Sequence, residues 1–368
     1  MKQKKLVIYF LIIAISFTLF LPTLNLYFLS KTQKVNLQHF SKKQLFSTDN
    51  LESIINYTVY KTFNFSLNEP QVVAGKDGFF FLGNRFARVI DKTKATFQFT
   101  DEQIDSWTTK LKKLQDWYEQ QGIEFIIAIA PNKHTVYDDK LPDNITAKVG
   151  KTVTNRIVQS SLQKNIHIQN LEQVLREKKR DKQLYFKTDT HWNNYGAQIG
   201  YLETMKYFNM TYNKHYKIPE YTMAEITSSG GGDLTNLLKI NQLLSDNYEK
   251  DYTLTFNKKN KVCYGNITKD NKLNKCTPGV KSSFNQYIMN ENSSNQETLL
   301  YVCDSFGLEN SQLYEHTFHT VWRFHLGHMN SSILSNFIQE HKPDIVIYQV
   351  VERDIGNNSI IDDIPSGL

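Results

Sequence analysis

The sequence predicts an α/β protein, a three-layer α/β/α sandwich with a mostly parallel sheet, behind an N-terminal transmembrane helix. Three observations predict it. Short continuous apolar segments recur along the chain, as expected of strands buried on both faces of a parallel sheet. Segments of helical period stand between them, the alternation that covers such a sheet on both sides. The chain also opens on one long uncharged apolar run. Composition agrees: 40% hydrophobic and 13% aromatic residues can fill a core, and 16 Gly with 8 Pro in 368 residues exclude a collagenous or low-complexity chain. The 43 basic residues exceed the 37 acidic ones by only six, scattered along the chain, so no nucleic-acid partner is expected. The 3 Cys show no zinc-ligand spacing, and no metal is expected.

The elements follow in order. Lys2, Lys4 and Lys5 precede Leu6 to Leu29, which carries no charge and is long enough to cross roughly 30 Å of hydrocarbon as a helix. The run ends in Tyr27, Phe28 and Leu29 without a small-residue cleavage site, so residues 1–30 read as an uncleaved signal-anchor. The basic end then stays in the cytoplasm, and the rest lies on the periplasmic or extracellular side of a single-pass cell-membrane protein. Residues 31–70 are polar without a clear period and read as a juxtamembrane linker; residues 71–368 form the main domain. Val72 to Asn84 reads as strand, turn, strand. Thr100 with Gln103 makes a capping box for a helix from Asp101 to Gln121, stopped at Gly122. Ile123 to Ala130 is a buried strand. Helices at Val149–Leu162, Leu171–Lys178 and Asn194–Phe208 alternate with short strands at Ile166–Ile168 and Leu184–Phe186. Thr298–Cys303 is a buried strand before a helix at Leu308–Glu315; Ser331–Glu340 is a helix and Asp344–Val351 the closing strand. Between them, residues 211–296 are rich in Asn, Lys and Ser and read as an insertion on the sheet's rim. Cys263 and Cys276 lie in it, on the side of the membrane where a disulfide can persist.

Two segments carry chemistry, each expected just past the carboxyl end of a strand, where open α/β sheets place their sites. In Thr188-Asp189-Thr190-His191-Trp192-Asn193, extended backbone would aim Asp189 and His191 the same way, giving a base with its orienting carboxylate. In Cys303-Asp304-Ser305-Phe306-Gly307, a serine sits on a strand-to-helix turn beside the N–H groups of the helix. A serine hydroxyl is a poor nucleophile until a base takes its proton, so Ser305, His191 and Asp189 together supply the roles of acyl transfer. Lys133 is a candidate to neutralise an anionic sugar or intermediate, Arg353 to contact substrate, and Trp192, Tyr137 and Trp322 to stack on sugar rings; a loop lysine, a structural ion pair with Glu352 and core packing are the competing readings. Asp304 reads as a cap or turn residue, and Gly230 to Gly232 before Asp233 as a flexible loop in the insertion.

These residues resemble a known family. GKDGFFFLGN at 75–84, PNKHTVYDDKLP at 131–142, KTDTHWNNYGA at 187–197, CDSF at 303–306 and KPDIVIYQVVER at 342–353 look, in that order, like the SGNH-hydrolase-like AlgX/AlgJ alginate O-acetyltransferases. The resemblance implies membrane-proximal acetyl transfer onto a polysaccharide acceptor, with no cofactor, Asp189, His191 and Ser305 as the triad, and a multi-pass membrane acyltransferase as acetyl donor. Where that family has Gly before the Asp-Ser pair, this chain has Cys303, either a packed thiol or a rival nucleophile. An acetyl-esterase with the same triad, or a non-catalytic glycan-binding assembly subunit, remains open at the level of sequence.

Overall fold

A computed structural model describes residues 2–31, 41–145, 150–229, 231–244, 248–257, 262–267, 276–278, 284–328 and 331–357. Val149, Gly230 and parts of the expected linker and insertion lie outside the described residues.

The helices are α1 (Lys2–Lys31), α2 (Lys42–Leu45), α3 (Asp49–Phe63), α4 (Val89–Thr93), α5 (Asp101–Gln120), α6 (Lys133–Val136), α7 (Val153–Gln163), α8 (Glu172–Lys178), α9 (Asn194–Tyr212), α10 (Asp233–Leu237), α11 (Phe306–Thr317) and α12 (Ser331–His341). The strands are β1 (Val72–Ala74), β2 (Phe80–Leu82), β3 (Glu124–Ala130), β4 (Ile168–Asn170), β5 (Tyr221–Ser229), β6 (Tyr248–Phe256), β7 (Val262–Asn266), β8 (Thr277–Pro278), β9 (Gln286–Asn290), β10 (Thr298–Cys303), β11 (Thr320–His325) and β12 (Ile345–Val351).

The central sheet has eight strands in the order β4-β3-β12-β10-β11-β9-β7-β8. The first five run parallel, and β9, β7 and β8 extend the sheet antiparallel. Alternation along β3 sends Phe125, Ile127 and Ile129 to one face, where α5, α7 and α12 bury them with Trp107, Leu111, Ile157 and Phe337. Ile126 points to the other face and joins Tyr201, Met205, Leu313 and Tyr314 of α9 and α11. Each large apolar side chain fully buried in these two layers contributes roughly 1.5–3 kcal/mol, and together they make the three-layer sandwich that the sequence predicts. The capping box at Thr100 and Gln103 starts α5, and Gly122 ends it at φ +76°. The hairpin of β1 and β2 pairs Val72 with Leu82.

Three expectations are corrected. The 31–70 segment is not a bare linker: α2 and α3 lie in it. Asn25, buried within α1, donates to the carbonyls of Leu45 (2.7 Å) and Ser47 (3.0 Å) and accepts from Asn50 (2.8 Å). At the other end of α3, Asn64 donates to the Gly75 carbonyl at 2.9 Å and Tyr60 packs on Phe80. The apolar period there is weak because α3 lies on a small surface rather than the main core. Leu184–Phe186 is not a sheet strand; only Tyr185 bridges to Trp192 across a tight loop. An apolar run this short buries equally well in a loop. The 211–296 region is more than a rim insertion, since it supplies β7, β8 and β9 to the sheet, besides the long hairpin of β5 and β6. Cys263 and Cys276 are joined by a disulfide there.

Candidate active site

Three neighbouring parallel strands end at one edge of the sheet. β10 leads into Asp304-Ser305, β3 into Asn132-Lys133, and β12 into Glu352-Arg353. Ser305 sits in an unstrained helical conformation (φ −60°, ψ −26°) at the start of α11. Asp304 holds this turn: its carboxylate accepts from the N–H groups of Phe306 (2.9 Å) and Val351 (2.5 Å), tying the serine loop to the end of β12. Burial raises the Asp304 pKa to about 6 despite these hydrogen bonds. It is a turn residue, as the sequence indicates.

The segment bearing His191 comes from the loop before α9, and it brings the imidazole to Ser305 from a position 114 residues earlier in the chain. Ser305 Oγ–H donates to His191 Nε2 at 2.8 Å, and His191 Nδ1–H donates to Asp189 Oδ1 at 2.7 Å. The tautomer follows from the partners: an ionised carboxylate can only accept, so the proton sits on Nδ1 and Nε2 is free to accept. Asp189 and His191 meet through a turn rather than through extended backbone. The His191 N–H also donates to Asp189 Oδ1 (3.0 Å), closing a local loop of the kind aspartate favours.

The electrostatics suit a base. Burial works against the Asp189 carboxylate, but hydrogen bonds from His191 and from the backbone of Asp233 and His191 outweigh it and bring its pKa down to about 2. Burial also works against a charged His191, and the Asp189 carboxylate outweighs it, so the imidazole pKa is raised. The ring packs 4.9 Å from Phe306, whose carbonyl accepts from Trp192 Nε1 at 3.0 Å. The Arg353 guanidinium lies over the Phe306 ring at 5.5 Å and is part-exposed. The Glu352 carboxylate accepts from Asn132 N–H and Thr135 Oγ–H.

Several expected contacts are corrected. Lys133 does not face substrate. It is 2% exposed, and its Nζ donates to the carbonyls of Phe186 (3.0 Å), Lys187 (3.2 Å) and Asp189 (2.7 Å). An ammonium has three N–H bonds, and here all three are engaged. Trp192 is fully buried against Phe306 and Tyr185 and cannot stack on a sugar. Tyr137 and Trp322 are likewise core residues. Cys303 is buried and its thiol pKa is pushed up by burial, which makes it a packing group. Room for it comes from Gly307, where a Cβ would stand 2.4 Å from the Cys303 Cβ and 2.6 Å from its Sγ.

Sequence reasoning missed the residues that hold the Asp189 loop from the insertion. Asp233 N–H donates to Asp189 Oδ2 at 3.0 Å, and Asp233 Oδ1 accepts from Thr190 N–H at 2.7 Å. The Glu249 carboxylate on β6 accepts from the N–H groups of Lys187 and Thr188 and from the Thr188 hydroxyl. Gly232 passes so close that a Cβ would stand 2.5 Å from the Asp189 Cβ. The run of glycines before Asp233 is the one signal in the sequence for this close approach. Asp189, His191 and Asp233 could hold a metal ion by proximity, but both Asp189 oxygens, both His191 ring nitrogens and Asp233 Oδ1 are already committed to the hydrogen bonds just described.

A family model described as the SGNH hydrolase-like domain of the acetyltransferase AlgX matches residues 72–263, which include Asp189 and His191 and stop short of Ser305. The probable alginate O-acetylase AlgJ of Pseudomonas putida is 26% identical over 187 residues, 50% of this chain and 46% of that protein. The AlgJ of Azotobacter vinelandii is 25% identical over 204 residues, 54% of this chain and 48% of that protein. The match thus spans about half the length of these curated relatives. Among solved structures, Bacillus cereus PatB1 superposes with a TM-score of 0.58 at 16% identity, covering 78% of this chain and 98% of that one. The O-acetyltransferase domain of P. putida AlgJ gives 0.52 at 17% identity, covering 78% and 93%. These two likenesses establish the fold, and the family model extends over more than half of the sequence. The chain therefore belongs to the SGNH hydrolase-like acetyltransferase family that the AlgX model describes.

Proposed function

We propose that this protein is an extracytoplasmic O-acetyltransferase, anchored in the cell membrane by residues 1–30, that passes an acetyl group through a Ser305 acyl-enzyme onto hydroxyls of an exopolysaccharide or cell-wall glycan. The observation that carries the reading is the unbroken relay from Ser305 Oγ to His191 Nε2 and from His191 Nδ1 to Asp189. In the first half-reaction Ser305 Oγ attacks the acetyl carbonyl as His191 takes its proton; the ester forms, and His191 returns the proton to the leaving group. In the second, His191 takes the proton of an acceptor hydroxyl, which attacks the acetyl ester, and returns that proton to Ser305 Oγ as the ester bond to the serine breaks. Asp189 stabilises the imidazolium in both steps. The Ser305 N–H at the start of α11, engaged by no acceptor among the described residues, is available to an oxyanion at its own ester carbonyl.

Membrane anchorage has its own support. The apolar helix covers Lys4–Ser30, and its most apolar stretch of 18 residues has a mean hydropathy of 2.4; Lys4 and Lys5 mark a cytoplasmic end. An activated acetyl group made in the cytoplasm has to be brought across, so the donor in this reading is a multi-pass membrane acyltransferase.

The test uses the purified full-length protein, an activated acetyl ester and a panel of oligosaccharides. Acetate transfer to a sugar, abolished in Ser305→Ala, supports the transferase. Hydrolysis unaffected by any sugar makes the protein an esterase. Folded protein without turnover and without labelling of Ser305 by a sulfonyl fluoride makes it a binding subunit.

A further inference from the structure

We propose that Lys133 is a positioning residue of this site: its buried ammonium is the tripod on which the Asp189–His191 loop stands, with Glu249 and Asp233 as its counter-charges. The inference rests on the triad reading above and adds a part to it. Among the described residues the loop from 186 to 191 belongs to no sheet ladder; its main-chain ties to other elements are single hydrogen bonds, from the Phe80 N–H to the Lys187 carbonyl (2.9 Å) and from the Leu234 N–H to the Thr188 carbonyl (3.1 Å), yet it has to keep an imidazole within 2.8 Å of a serine at the start of α11. Three backbone carbonyls, those of Phe186, Lys187 and Asp189, converge on Lys133 Nζ. Converging carbonyl dipoles repel one another unless a cation sits among them. The Lys133 backbone is itself fixed, because it opens α6 directly after β3. The tripod therefore refers the catalytic loop to the central sheet.

The same loop also offers N–H groups, and these meet anions. Glu249 takes the N–H groups of Lys187 and Thr188, and Asp233 takes that of Thr190. Carbonyls toward a cation and amides toward carboxylates leave the loop one register. Misplacing a reacting group by about 1 Å costs on the order of 100-fold in rate, which sets the scale of what the tripod protects.

The charged groups around Lys133 also give a pH signature. Burial lowers its pKa to about 8, against the opposing pull of Glu249, Asp233 and Asp189. The adjoining His134 ring is neutral, its pKa brought down to about 3 by burial, and Arg353 adds positive charge from the β12 side. The ammonium is thus present below pH 8 and lost as pH rises through that value. His191 is a base only when neutral, so activity rises as pH rises through its own raised pKa. The two together make a bell, with Lys133 setting the alkaline limb.

The experiment measures kcat and KM for acetyl-ester hydrolysis against pH in wild type, Lys133→Met, Lys133→Arg and Glu249→Gln, with circular dichroism and Tm on each. The expected result is an alkaline limb near pH 8 in wild type, a fall in kcat of about 100-fold in Lys133→Met with KM little changed, and an alkaline limb moved upward in Lys133→Arg, whose charge does not titrate. Folded Lys133→Met with unchanged kcat and pH profile overturns the proposal. Should both Lys133 variants fail to fold, a wild-type kcat/KM flat from pH 7 to 10, or Glu249→Gln with an unmoved alkaline limb, overturns it equally. A wild type that is inert and unlabelled at Ser305 refutes the triad reading instead, so the two failures are distinct.

Discussion

Replacing Asp189 by Asn removes one charge and keeps the shape, and the surroundings of that carboxylate determine the result. Oδ1 accepts from the His191 N–H and Nδ1–H, and Oδ2 accepts from the Asp233 N–H. An amide has one acceptor oxygen, so in either orientation its NH2 group faces a donor. If the oxygen turns to Asp233, the NH2 faces His191 Nδ1 and drives the proton to Nε2, where the imidazole can no longer accept from Ser305. If the oxygen stays with His191, the NH2 is pressed against the Asp233 N–H. A buried polar group left unpaired costs about 1–3 kcal/mol. The lost charge can be scaled separately: a carboxylate pKa brought from 3.8 to about 2 corresponds to roughly 2 kcal/mol in favour of the ionised form. The expected outcome for Asp189→Asn is therefore a kcat lower by about 10³–10⁴, little change in KM, a loss of unfolding free energy of about 1–3 kcal/mol, and an acid limb moved to lower pH. The assay is acetyl-ester hydrolysis across pH, with denaturant unfolding on the same samples. Folded Asp189→Asn retaining kcat within tenfold of wild type would refute the reasoning.

Other substitutions test neighbouring parts of the account. Gly307→Ala puts a methyl group into the Cys303 side chain and costs about 1–3 kcal/mol by overpacking; Cys303→Gly on that background recovers part of it, measured as a double-mutant cycle in urea. Cys303→Ala alone keeps turnover, because the thiol is buried and protonated; loss of turnover in that folded variant would make the thiol a participant. The Cys263→Ser, Cys276→Ser double variant lowers unfolding free energy by roughly 2–3 kcal/mol through the loop it frees, while kcat at Ser305 stays unchanged. Asp189 also makes folding sensitive to acid. Its pKa is depressed on folding, so its contribution is full above about pH 4 and is lost as pH falls through about 2; the Tm of Asp189→Asn accordingly changes less than that of wild type across this interval.

Much of this was legible in the sequence, for physical reasons that differ by element. The strands at Thr298–Cys303 and Ile345–Val351 and the capped helix after Thr100 announce themselves because burial on two faces and a paired cap leave unambiguous patterns. That Asp189, His191 and Ser305 come together was legible because the acyl transfer proposed for them restricts which residue types can do it. The backing of the site was not. Lys133 reads as a loop lysine because nothing in its neighbours says that three carbonyls fold over it, and Glu249 and Asp233 sit in a segment whose polar composition hides a structural role. Such contacts depend on which backbone atoms converge, and backbone atoms are the same in every residue. Trp192 and α3 failed in opposite ways: an aromatic beside the histidine suggested a sugar platform but fills the core, and a weakly periodic segment forms a helix because Asn25 and the β1–β2 hairpin hold its ends.

The central claim is that Ser305 carries the acetyl group. Its most direct test is acid quenching of the full-length protein within the first turnover on an acetyl ester, followed by proteolysis and mass spectrometry. The account predicts one added acetyl on the peptide containing Ser305, accumulating in wild type and absent in Ser305→Ala and His191→Ala. Turnover that proceeds with Ser305 unmodified, or with the acetyl group on another side chain, would contradict it.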